Sequence, residues 1–158
     1  MKTSAKRAAT KPKRSASSMK ISKIMTHNVV VVSPNDNLQT AARKMLERDI
    51  GFLPVCDGER LIGTLSDRDI AIRAVSAGHD PRSAQVRDFA TPQAVWCFDD
   101  QDVDEAARKM QDKQVRRLMV LKRDDKRLVG IVSLGDLASN GTQEISSEVL
   151  ASTSPQAD

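Results

Sequence analysis

The chain has 158 residues, 39% of them apolar and 29% charged, with a formal net charge of +4. That length suits one compact domain, or two very small ones sharing a core, and the composition is that of a soluble globular protein. With three Phe, one Trp and no Tyr, the chain lacks the aromatic platforms on which single-stranded nucleic acids stack, and no run approaches the roughly 18 apolar residues of a membrane span.

The charge is unevenly placed. Residues 1–20 hold seven basic side chains (Lys2, Lys6, Arg7, Lys11, Lys13, Arg14 and Lys20) and no acidic one; without them 18 basic residues face 21 acidic, a net of −3. Residues 1–19 therefore read as a disordered basic tail, too poor in apolar surface to offset the cost of ordering. A weak electrostatic contact with nucleic acid or another anionic partner is the sharper reading of that tail. No apolar core follows Lys2, so a secretory signal is not expected, and the expected compartment is the cytoplasm. The two cysteines, Cys56 and Cys97, each lie in an apolar run and read as buried free thiols.

From residue 20 onward the chain is written twice. The string AARKM stands at Ala41–Met45 and again at Ala106–Met110, an offset of 65. The same offset aligns Leu53-Pro-Val55 with Leu118-Met-Val120, and after a two-residue insertion an offset of 67 aligns Gly63-Thr-Leu-Ser66 with Gly130-Ile-Val-Ser133. The units are 20–80 and 81–141, followed by a weakly patterned tail, 142–158, in which Ile145, Val149 and Leu150 could form a last helical turn.

Each unit reads as βαββα. A short strand (Val29–Val32 or Ala94–Phe98) leads through turn and N-cap residues into a helix. In the first of these helices Leu38, Ala41, Ala42, Met45 and Leu46 form one apolar stripe. A hairpin follows, Phe52–Cys56 and Arg60–Ser66 around Asp57-Gly58, and its counterpart is Leu118–Lys122 and Arg127–Ser133. A second helix runs from about Asp67 to Ala77, stopped by Gly78, and its partner begins near Leu134. A unit of this size is marginal alone, so two packed with pseudo-two-fold symmetry form the expected α/β (α+β) module, with equivalent clefts between them.

The chemistry lies where a strand enters a helix. Ser66 and Ser133 stand beside unpaired helical N–H groups, which favour an anion. Asp69 and Asp136 follow three residues later, where a carboxylate can accept from both hydroxyls of a ribose. Ser-x-x-Asp is also a capping box, in which both side chains satisfy the helix's own amides. The two readings stand side by side on these residues alone. Catalysis has little support: His27 and His79 lie in connecting segments, no nucleophile elbow surrounds either serine, and no metal-ligand spacing occurs.

The residues Gly51-Phe-Leu-Pro-Val55 and Gly63-Thr-Leu-Ser-Asp-Arg-Asp-Ile70, with Val115-Arg-Arg-Leu-Met-Val120 and Gly130-Ile-Val-Ser-Leu-Gly-Asp-Leu137, resemble the signature of tandem CBS domains, called Bateman modules. Over about residues 20–140 the chain is similar to small stand-alone bacterial CBS pairs of the hypoxic or stress-response type. The resemblance implies a non-catalytic sensor that binds an adenosyl ligand between the repeats: AMP first, ADP or ATP next, with NAD and S-adenosylmethionine also known in the family. Carried over, Ser66 and Asp69 serve one site and Ser133 and Asp136 the other. Arg68 reaches a phosphate, and Met25, Thr26 and Val29 with Phe52, Leu53 and Pro54 line the first base pocket. The resemblance also implies a homodimer and a separate regulated protein.

The second copy departs from the signature, with Gly135 for Arg68, Met119 for Pro54 and Arg116 for Gly51. Trp96 on its first strand is expected to narrow its pocket, making it the weaker or empty site. Arg116 and Arg117 either reach across to a phosphate in the first site or are plain exposed arginines. Two other classes remain as alternatives: a nucleic-acid-associated protein acting through its tail, and a purely structural dimerisation module.

Overall fold

The computed structural model describes residues 19–140, so both tails, with the tail lysines and arginines up to Arg14 and with Ile145, Val149 and Leu150, lie outside the described residues. The first copy contains a 3₁₀ turn Ile21–Lys23, helix α1 Leu38–Arg48, strands β1 Phe52–Asp57 and β2 Arg60–Ser66, and a short helix α2 Asp67–Asp69 that continues as a π-helix, Ile70–Val75. The second contains α3 Val86–Phe89, β3 Trp96–Phe98, α4 Val103–Lys113, β4 Arg117–Leu121, β5 Leu128–Ser133 and α5 Leu134–Asn140.

The repeated sequence repeats its local geometry. Both long helices begin on a polar cap: Asn37 accepts from the Thr40 amide at 2.8 Å, and Asp102 forms a capping box with Glu105. Both end on a left-handed residue, Asp49 (φ 52°) and Gln114 (φ 55°), rather than the glycine that tolerates this conformation most easily. The amides of Ile50 and Val115 reach back to Met45 and Met110 at 3.0 Å, so the same terminal turn closes each helix.

Two sequence expectations need correction. Val29–Val32 pairs only at Val32, which bridges Val55 in parallel, leaving a two-stranded sheet β1-β2. The corresponding stretch of the second copy is a real strand, giving the order β3-β4-β5 with β3 parallel to β4. The helix expected over Asp67–Ala77 is regular for one turn and then π-helical, with Ser76 N–H donating to Ala71 O at 3.1 Å. Gly78 (φ 77°) does follow its end.

The two copies do not have separate cores. Ile21 and Met25, which open the first copy, are buried with Ala106, Met110, Leu118, Val120 and Val132 of the second. Val86 and Phe89, which open the second, are buried with Leu38, Met45, Leu53 and Leu65 of the first. Each opening segment also pairs with the foreign hairpin. Thr26 and Ile131 exchange backbone bonds at 2.8 and 3.1 Å, and Thr91 and Thr64 at 2.8 and 2.9 Å.

This exchange explains the glycine in each Gly-x-x-Ser run. A Cβ on Gly63 would lie 2.6 Å from Thr91 O, and one on Gly130 would lie 2.5 Å from Met25 Sδ. Each fully buried Leu, Ile or Met in these cores contributes roughly 1.5–3 kcal/mol of hydrophobic stabilisation. Neither copy can bury its own set without the other's first segment.

Candidate functional site

At the first strand-to-helix junction, Ser66 and Asp69 form a reciprocal capping box. The Asp69 amide donates to Ser66 Oγ at 3.0 Å, and the Ser66 amide donates to Asp69 Oδ2 at 2.9 Å. The other carboxylate oxygen, Oδ1, stands 3.7 Å from Arg73 Nε. Asp67 is exposed at the head of the helix, with Oδ1 accepting from the Arg68 amide at 2.7 Å. Gly51 makes room for it, because a Cβ there would lie 2.7 Å from Asp67 Oδ2. The Arg68 residue is exposed beside Asp67.

The second junction has the same backbone frame and different surroundings. Asp136 Oδ2 accepts from both the Ser133 amide and the Ser133 hydroxyl, each at 2.7 Å, and the Asp136 amide donates to Ser133 Oγ at 3.2 Å. Leu134, in the place of Asp67, turns inward and is 5% exposed. Its amide donates to Arg116 O at 2.8 Å. Ser133, Gly135 and the two arginines, Arg116 and Arg117, border an open cleft of about 360 Å³. Two arginines bordering the same cleft as a serine hydroxyl are a favourable setting for a phosphate.

Across the junctions the two copies touch. The Arg117 guanidinium lies 4.8 Å from the centre of the Phe52 ring, a cation–π contact from the start of β4 to the start of β1. Phe52, Leu53 and Pro54 are thus on β1 beside Ser66, and Phe52 pairs directly with Ser66 in the hairpin register. Met25 and Thr26 are elsewhere, laid along β5 two residues before Ser133. The segment beside Ser66 is instead Phe89–Thr91, outside the residues expected to line the first site. Its signal was present, since Thr91 is the offset partner of Thr26. Val29 is also away from Ser66, bordering a cleft with Cys56, Leu128 and Val129.

Trp96 does not border the Ser133 cleft. Its ring meets Phe98 edge-on at 4.9 Å, with Lys109 Nζ 4.7 Å from its centre. Both cysteines are buried and free. Burial pushes the Cys56 thiol from 9.0 to about 11 and the Cys97 thiol from 9.0 to about 12. A thiol held protonated at neutral pH is a poor nucleophile and a poor metal ligand. His79 packs edge-on against Phe89 at 5.1 Å, and His27 is exposed. Among the described residues no cluster of three or more His, Cys, Asp or Glu could hold a metal ion, and no helix is long and apolar enough to cross a membrane.

Comparison with known proteins agrees with this architecture. Two stretches, residues 21–75 and 86–141, match the family described as CBS domain. Hypoxic response protein 1 of Mycobacterium tuberculosis is 40% identical over 116 residues, covering 73% of this chain and 80% of the relative. A crystal structure of Hypoxic Response Protein I with two coordinated zinc ions superposes with a TM-score of 0.70 at 37% identity, over 78% of this chain and all (100%) of that one. The structure of CBSX2 in complex with AMP superposes with a TM-score of 0.64 at 27% identity, over 76% of this chain and 93% of that one.

Proposed function

The chain belongs to the CBS-domain family, and from that premise we propose that it is a regulatory module that binds an adenosine nucleotide, AMP first, and carries out no reaction. One observation supports the reading above the others: Ser133 opens on a cleft flanked by Arg116 and Arg117 while Asp136 lies one hydrogen bond away. Guanidinium groups and a hydroxyl suit a phosphate. An ionised carboxylate is an acceptor with room for the two hydroxyls of a ribose. The AMP complex of the similar CBSX2 structure points to the same ligand class.

In this reading the second junction, not the first, is the stronger site. Met25 and Thr26 join it, since they lie along β5. The first junction, Ser66, Arg68 and Asp69 with the Phe89–Thr91 segment and Phe52, Leu53 and Pro54, is the paired, weaker site. At either junction the capping box must share its hydrogen bonds before a ribose can bind, and the first is the weaker because Gly51 stands where the second has Arg116.

The module acts as a homodimer. Leu46 (82% exposed), Ile72 (58%) and Val75 (62%) lie on the outer side of the first copy's helices, and Arg43, Glu47 and Arg73 on the same helices carry both signs of charge. A two-fold partner can cover the apolar side chains and set Arg43 of one protomer against Glu47 of the other. A bound nucleotide bridges segments of both copies and so favours one arrangement of the pair, which a separate protein reads.

Thermal shift against AMP, ADP, ATP, NAD and S-adenosylmethionine tests the ligand. At about a hundredfold above its Kd, the right one adds roughly 2.7 kcal/mol of stability. No shift with any adenylate at millimolar concentration would end this reading.

A further inference from the structure

At the opposite end of the hairpins from the serines, a second pair of clefts is related by the duplication. One is bordered by Val29, Val31, Cys56, Glu59 and Leu128 and holds about 260 Å³. Its counterpart is bordered by Ile62, Pro92, Trp96 and Leu121, with Arg60 and Lys126, and holds about 430 Å³. Offset by offset, Trp96 replaces Val31, Leu121 replaces Cys56, and Lys126 replaces Glu59. The duplication has produced one small cleft with an acid at its mouth and one larger cleft with an aromatic wall and two cations.

The cations are the informative part. Neighbouring basic side chains are paired: Lys122 with Asp99, Arg123 with Asp100, and Arg127 with Asp125. Among the described residues Arg60 and Lys126 make no ion pair and no acidic residue borders this cleft, while on their other side the same two side chains line a second cleft with Glu59, Asp125 and Arg127. Lys126 sits in a left-handed turn (φ 57°) closed by its amide onto Lys122 O at 2.9 Å, which fixes the root of its side chain. Apolar walls with a few convergent polar groups are the usual make-up of a small-molecule site.

We propose that the cleft formed by Ile62, Pro92, Trp96, Leu121, Arg60 and Lys126 binds a small organic anion, a flat apolar body carrying a carboxylate, sulfonate or phosphate. The body lies against Trp96 and the aliphatic wall, and the anionic group reaches Arg60 and Lys126. A nucleoside is disfavoured there, because no carboxylate borders the cleft to accept from ribose hydroxyls. This site is independent of the adenylate reading and stands or falls separately.

Trp96 is the only tryptophan of the chain, so it reports directly on its own cleft. The full chain is titrated with anilinonaphthalene sulfonate, a flat aromatic anion, exciting Trp96 and reading its quenching together with dye emission. Saturable binding that weakens with salt is expected. The pair Arg60→Glu and Lys126→Glu, which copies the acid of the twin cleft, raises the Kd about tenfold or more, the equivalent of losing one charge-assisted hydrogen bond. Should that double variant fail to fold by circular dichroism, Arg60→Gln alone at the exposed strand start carries the same test with a smaller rise. Leu46→Ser with Ile72→Ser leaves the Kd unchanged, since those side chains are outside the cleft. Equal affinity of wild type and charge variants, loss of binding in the Leu46 and Ile72 variant, or displacement of the dye by AMP would each overturn the assignment.

Discussion

The two copies share a backbone and differ in what they show to solvent. Ser66–Asp69 and Ser133–Asp136 make the same capping box bonds, yet the first is followed by a π-helix and the second by a regular α-helix. In α4 Ala107 is 2% exposed, whereas its offset partner Ala42 in α1 is exposed. Leu46, 82% exposed, corresponds to a glutamine, Gln111. The first copy thus presents apolar helix flanks and an acid, Asp67, at its junction. The second presents a buried leucine there and two arginines around an open cleft. Duplication preserved what the core requires and left the exposed positions free to diverge, with apolar helix flanks in one copy and two arginines bordering a cleft in the other.

The largest test of that comparison concerns the exchanged segments. Gly63→Ala places a methyl 2.6 Å from the fixed carbonyl of Thr91, and Gly130→Ala places one against the flexible Met25 side chain. Overpacking of this kind costs about 1–3 kcal/mol. Denaturant unfolding should show Gly63→Ala at the upper end and Gly130→Ala distinctly below it. Equal costs would mean that the two segments are held alike.

Ligand binding should separate the junctions next. Asp136→Ala is expected to cost roughly 1.5–3 kcal/mol of AMP binding, and Asp69→Ala clearly less, by isothermal titration. The reverse order would restore the first junction as the principal site.

Alkaline pH tests the thiols. Both folded-state pKa values are raised, to about 11 and about 12, so the stability from protonated Cys56 and Cys97 is complete below the unfolded thiol value and is lost as pH rises toward those figures. Each cysteine should steepen the loss by at most about 1.4 kcal/mol per pH unit. Cys97→Ala should flatten the stability–pH curve above about pH 8.5, the ordinary thiol range, and an unchanged slope would contradict its burial.

The smallest effect on stability, and the clearest on assembly, comes from the helix flanks. Leu46→Glu with Ile72→Glu should leave monomer stability within about 0.5 kcal/mol per exposed substitution. Sedimentation is expected to show a dimer for the wild type and monomers for this variant.

Much of this was legible because it is local. The cap at Asp102, the hairpin turns, and the apolar stripe through Leu38, Ala41 and Met45 depend on neighbours within a few positions, and the structure has each of them; the first helix is capped by Asn37, one residue past the expected Ser33–Asp36 turn. The stripe failed at Ala42 and Leu46, because period alone cannot say how wide the covered face is. The strand Val29–Val32 reduced to one bridge because strand pairing needs a partner that the sequence does not specify.

The amino-acid order by itself determined that there are two copies, that each carries a Ser-x-x-Asp junction, and that the family is that of CBS domains. Only the tertiary structure decided which copy's opening segment lies on which hairpin, since an offset repeat is satisfied equally by either pairing. It also decided where the junctions open. Whether a hydroxyl and a carboxylate face a cleft or only their own amides depends on side chains that are distant in the chain, such as Arg116 beside Ser133 and Phe52 beneath Arg117, and they meet only once the two halves are packed.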